Sequence, residues 1–178
     1  HSDTIGCLVR SIDPAGFIRL FRMGGIVDSL LVGRKVWVNE VPGVVGVRPG
    51  HFQTPEEMRT VPSLNELYVD VGAGSASRVA DLGIEIGSPV RYHSPIEELS
   101  DPDLLCGAYI DNRIGCAVLV YVMGILAPEF AGSIYAVATT HEETGWRGGQ
   151  MSAFTIAPDL AVAIDTTPAG GTPDVHPE

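Results

Sequence analysis

The chain predicts an α/β domain interrupted by a small β-rich insert, and three observations lead there. From about Arg10 to Tyr92 the sequence is dense in short β-like runs broken by glycine and proline. Past Tyr92 longer apolar runs of helix and strand type alternate, which is the grammar of an α/β layer. Acidic or imidazole side chains stand at the ends of four apolar runs, one before the insert and three after it. Residues 1–9 and 93–178 are therefore assigned to one interrupted α/β domain, and 10–92 to the insert.

Each element follows from its local pattern. Within the insert the strand-like runs are Phe17 to Phe21, Lys35 to Val38, Val44 to Val47, Leu67 to Val71 and Val90 to Tyr92. Gly24-Gly25, Pro42-Gly43 and Pro49-Gly50 punctuate them, a spacing that suggests a barrel or sandwich. Ser75 is placed to cap a short helix over Ala76 to Leu82, with Gly83 as its stop. A linker carrying Pro95, Glu97, Glu98, Asp101 and Asp103 leads on to Asn112–Leu126, a helix apolar almost all round and so expected in the core. Ser133–Thr140 and Asp159–Asp165 are uniformly apolar until their last residues, as parallel strands covered on both faces would be. The Pro/Gly-rich tail from Pro168 to Glu178 does not finish an α/β fold, and His1 is no initiator Met, so the chain reads as cut at both ends.

Composition narrows the function. With 178 residues and 45% hydrophobic content the chain can bury one good core plus a smaller module. A net charge of −11, with only 11 Lys and Arg spread along the chain, argues against nucleic acid. The longest uncharged apolar run, Ile114 to Ala127, falls short of the roughly 18 residues a membrane span requires, and no secretory leader is visible. Cys7, Cys106 and Cys116 form no CxxC pair and read as reduced core thiols of a cytoplasmic protein.

The run ends carry the chemistry. His1, Asp111, Glu142, Glu143 and Asp165 are a donor set suited to two divalent metal ions. Asp111 can bridge, His1 and Glu143 can complete one metal, and Asp165 can serve the other. Glu142 would point away from Glu143 on an extended backbone, which frees it to act as a general base. Asp3 can accept a hydrogen bond from the His1 imidazole and fix its tautomer. Taken singly, each residue also has a plainer reading: a Glu-Glu pair as a solvated patch, an Asp at a strand end as a cap.

Combined, the motifs His1-x-Asp3-x-Ile5-Gly6, Asp111-Asn112-Arg113-x-Gly115, Glu142-Glu143-x-Gly145 and Ile164-Asp165 resemble the tetrahedral aminopeptidase family, which includes glutamyl and deblocking aminopeptidases and some members labelled endoglucanases. The similarity continues through Gly43-Val44-Val45-Gly46, Pro49, His51 and Glu66 to Gly72, which resemble that family's dimerisation domain. The resemblance implies a zinc-peptidase-like three-layer α/β catalytic domain, partial here, interrupted by a barrel-like dimerisation domain. It further implies a dinuclear zinc or cobalt aminopeptidase, with manganese also compatible, that acts on peptides and self-associates through residues 10–92 into dimers and dodecamers. By the same resemblance Asp111 bridges, His1 and Glu143 bind one metal, Asp165 binds the other, and Glu142 is the base.

Departures from the family pattern bear on this. Asn112 stands where many members carry a second Asp, His141 replaces a common Gln and is not assigned as a ligand, and the family's further His ligand has no counterpart, His176 being in the wrong context. The piece alone is thus expected to be inactive. A glycosidase is disfavoured because adjacent carboxylates diverge on an extended backbone and aromatic residues make up only 7% of the chain. A related dinuclear deacylase or aminoacylase, and a non-catalytic assembly module, stay open.

Overall fold

In a computed structural model, which describes residues 1–126, 130–170 and 172–174, the chain divides into two compact units. One runs from Ile5 to Ala108; the other joins His1–Thr4 to the segment from Tyr109 onward. The wider unit begins before residue 10 and ends after residue 92 because its first strand, β1 (Gly6–Ile12), lies within the apolar run that follows His1 and Asp3. His176 and part of the Pro168–Glu178 tail lie outside the described residues.

The Ile5–Ala108 unit is a six-stranded closed barrel. Its strands are β1, β2 (Ile18–Met23), β3 (Lys35–Val38), β4 (Val41–Gly46), β5 (Tyr68–Asp70) and β6 (Pro89–Tyr92), hydrogen-bonded in the order β1-β2-β5-β4-β3-β6 with every pair antiparallel. Alternation along each strand builds the interior: Cys7 and Val9, Ile18 and Leu20, Val36 and Val38 point inward two residues apart. Val45, Val69 and Val90 complete the lining, while Leu67, Val79 and Ile84 from the connections are also buried. A register shift between Val9 and Ser11 marks a β-bulge in β1.

The expected short helix is present as α1 (Ala76–Asp81), with the Ser75 hydroxyl accepting from the Arg78 amide at 3.3 Å. Gly83 follows at φ 75°, the left-handed geometry of a helix stop. The acidic linker contributes a two-stranded sheet of β7 (Glu97–Glu98) and β8 (Leu105–Cys106). Of the three thiols only Cys7 belongs to a core; Cys106 is exposed and Cys116 half-buried, which corrects the reading of all three as core residues. Burial pushes the Cys7 thiol up to about 11, partly offset by Arg22 and reinforced by Asp28.

The second unit contains α2 (Ile110–Ile125) and α3 (Arg147–Ile156). Asp111 and Asn112 depart from helical geometry across a cis peptide bond, and regular helix follows them. Two expectations are corrected. Residues 133–140 and 159–165 form no strands, because neither finds a ladder partner among the described residues. Nor is α2 buried: apart from Asn112 and Gly115 its side chains reach solvent, Val120 at 76% exposure. No described helix is long and apolar enough to cross a membrane.

Candidate metal centre

The candidate site residues His1, Asp3, Asp111, Glu142, Glu143 and Asp165 all lie in this second unit. His1 sits at its middle, with a side chain only 3% exposed. The imidazole Nδ1 lies 3.0 Å from the Asp3 carbonyl oxygen and 3.3 Å from Asp3 Oδ1. Both neighbours only accept hydrogen bonds, so the ring proton belongs on Nδ1 and Nε2 presents its lone pair. Nε2 in turn faces two more acceptors, Asp111 Oδ1 at 3.2 Å and Glu142 Oε2 at 3.4 Å. Three electron-rich atoms at that spacing repel one another unless a positive charge joins them. Ligand atoms about 2.0–2.1 Å from a tetrahedral ion stand roughly 3.3–3.4 Å apart, so the donor set fits a divalent cation.

Two ligand trios meet at His1. One comprises His1, Asp111 and Asp165, the other His1, Glu142 and Glu143, and within each the donor atoms lie within 4.8 Å of one another. The grouping differs from the sequence expectation, since Asp165 falls in with His1 and Asp111 and is not set apart from them. A second difference concerns the glutamates. Glu142 and Glu143 do not point apart, because residues 142–146 turn ahead of α3 and leave both carboxylates facing His1. Side-chain alternation belongs to extended backbone, and this segment is not extended.

Asp3 also ties the site together. Its Oδ1 accepts from the Glu142 amide and its Oδ2 from the Glu143 amide, each at 3.2 Å. One carboxylate therefore orients the imidazole and holds the backbone of the glutamate pair. Ser2 adds a backbone bond to the Thr139 carbonyl at 2.8 Å, and the Cys116 thiol donates to the His1 carbonyl at 3.3 Å. His141, at φ 57°, places Nδ1 3.3 Å from Thr144 Oγ1 and belongs to neither trio.

Two roles escaped the sequence reading. Asn112, noted there only as a departure from the family pattern and 1% exposed, donates from Nδ2 to Asp165 Oδ1 at 2.7 Å and to the Ile164 carbonyl at 2.8 Å. Its Oδ1 accepts from the Gly115 amide at 2.9 Å, so the same amide caps α2 and orients an acidic donor. A Cβ on Gly115 would collide with that Oδ1, which explains a glycine three residues after the asparagine. That Asn-x-x-Gly spacing was the available signal. The other is that of Trp146, whose indole Nε1 donates to Glu142 Oε1 at 2.6 Å.

The chain is 35% identical over 181 residues to the putative aminopeptidase SgcX of Escherichia coli (strain K12), covering 99% of this chain and 48% of that protein. An aminopeptidase from Desulfurococcus kamchatkensis superposes with a TM-score of 0.87 at 32% identity, across 97% of this chain and 48% of the other. The TET1 peptidase of Pyrococcus horikoshii, described as able to assemble into a tetrahedron or a large octahedral shell, gives a TM-score of 0.77 at 28% identity, with 93% and 51% coverage. The chain thus spans about half the length of the relatives it matches. The family model for M42 glutamyl aminopeptidases matches residues 1–178 from end to end, and the chain belongs to that family.

Proposed function

We propose that the whole protein is a metal-dependent aminopeptidase that removes N-terminal residues from peptides, and that this chain supplies most of its metal centre. The observation that carries the reading is the pair of ligand trios meeting at His1, with Asp3 fixing the imidazole tautomer. In this reading His1, Asp111 and Asp165 would hold one divalent ion, and Glu143 would contribute to a second together with the further histidine that the family resemblance implies. Mixed imidazole and carboxylate donors suit zinc, cobalt or manganese. Such ions, when bound, supply Lewis acidity that polarises a peptide carbonyl and eases deprotonation of water.

The chain's own residues account for the proton. Glu142 Oε2 faces the site, so it takes the proton of the attacking water and returns it to the leaving amine. Asp3 keeps Glu142 in place through the backbone amide. The remainder of the family's length completes a three-layer α/β domain in which 133–140 and 159–165 find their strand partners. Self-association through the barrel is supported by likeness to the shell-forming peptidase of Pyrococcus horikoshii and by exposed Phe52, Met58 and Val61 on the loop between β4 and β5.

The test is Glu142→Gln in the active protein, with turnover of aminoacyl anilides and metal content measured together. Turnover should fall by about 10²–10⁴-fold while metal content is unchanged. Loss of metal in this variant would make Glu142 a ligand and end its assignment as the base. Hydrolysis of N-acylated substrates in place of free-amine ones would instead make the enzyme a deacylase.

A further inference from the structure

Trp146 follows Glu142 by four residues and is bonded to it twice. The backbone amide of Trp146 donates to the Glu142 carbonyl at 3.1 Å, closing a turn that Gly145, at φ 118°, makes possible. The indole N–H then reaches back to Glu142 Oε1 at 2.6 Å. Trp146 itself adopts φ 57°, a left-handed conformation that a bulky side chain rarely takes, and the residue is 66% exposed. Neither backbone preference nor burial accounts for a tryptophan here. What the residue contributes is one directed donor on a rigid ring.

The two oxygens of Glu142 are thereby made unequal. Oε1 is held by the indole, while Oε2 stands 3.4 Å from His1 Nε2 at the junction of the two trios. A carboxylate free to rotate would present either oxygen to the site; one anchored by a single strong donor presents the other. We propose that Trp146 is the positioning residue of the general base: its indole N–H holds Oε1 so that Oε2 alone exchanges the proton with water and leaving amine. This rests on the reading of Glu142 as the proton carrier.

Two readouts separate the possibilities. In the active protein carrying ¹⁵N-labelled tryptophan, the indole N–H resonances of Trp37 and Trp146 are assigned from their Trp→Phe variants. Glu142→Gln should shift the Trp146 resonance and leave that of Trp37, in the barrel, in place. An unmoved Trp146 resonance overturns the proposal, whatever the enzyme's activity. In the active protein, Trp146→Phe, which keeps the ring and loses the N–H, should lower kcat about 10-fold with KM within about two-fold and metal content unchanged, and Trp146→Leu should do the same. Full kcat in the phenylalanine variant means that the ring merely packs, and lost metal means that it supports the ligands; either result overturns the proposal. Retained turnover in Glu142→Gln would instead remove the base assignment itself, while the resonance shift would still record the bond.

Discussion

The two units of this chain divide labour in an uneven way. Every buried apolar residue among those described, from Cys7 to Val90, lies in the barrel unit, whereas the unit that carries the site buries only Asn112 and Gly115. The barrel gains its stability from hydrophobic burial inside a closed ladder of hydrogen bonds. The site unit is organised by polar contacts: Asp3 on the Glu142 and Glu143 amides, Asn112 on Asp165 and Gly115, Trp146 on Glu142. A constellation of candidate ligands can therefore be put in order by a few directed bonds even where the surrounding apolar surface has no cover among the described residues.

Substitutions in the two units should sharpen that contrast. Leu67, wholly buried, should cost about 2–5 kcal/mol as Leu67→Ala, read from urea unfolding of the barrel. Alkaline pH attacks the same core through Cys7. Its thiol is raised from 9.0 to about 11 in the folded state, so the neutral form favours folding in full below pH 9 and that contribution disappears as pH rises towards 11. Unfolding midpoints recorded across that window should fall, and Cys7→Ala should flatten the decline.

In the site unit the sensitive position is polar. Asn112→Ala removes three hydrogen bonds from a buried amide and should cost about 1–3 kcal/mol locally, seen as faster hydrogen exchange at the Gly115 amide with the barrel's protection unaltered. The smallest effect belongs to the uncovered apolar surface. Phe154, 85% exposed, should change stability by no more than about 0.5 kcal/mol as Phe154→Ser. A cost of 2 kcal/mol there would break the contrast, because it would mean that α3 has an apolar cover.

Legibility from sequence followed the same division. Strands β2 to β6 of the barrel were readable because Lys35–Val38 and its counterparts obey a two-residue alternation that their own partners satisfy nearby, whereas β1 was not, its apolar run being read with His1 and Asp3 as part of the other domain. The short helix was readable because Ser75 and Gly83 are local signals. In the site unit His1 and the acidic residues Asp111, Glu142, Glu143 and Asp165 were legible as a candidate set, since they stand at the ends of apolar runs. Their grouping was not legible, because it depends on the turn at residues 142–146 and on the break from helix at Asp111 and Asn112. For 133–140 and 159–165, apolar content alone indicated strands, but a strand exists only where a neighbour completes its ladder.

Because the barrel's sheet closes on itself, β1 meeting β6 as well as β2, it offers no open selvedge to a passing polypeptide. Copies of the barrel cannot join by extending a shared sheet, as they could if one rim were left free. Self-association through the barrel, as proposed above, would therefore rest on side chains of the outer wall and the loops, where a substitution leaves the closed ladder intact.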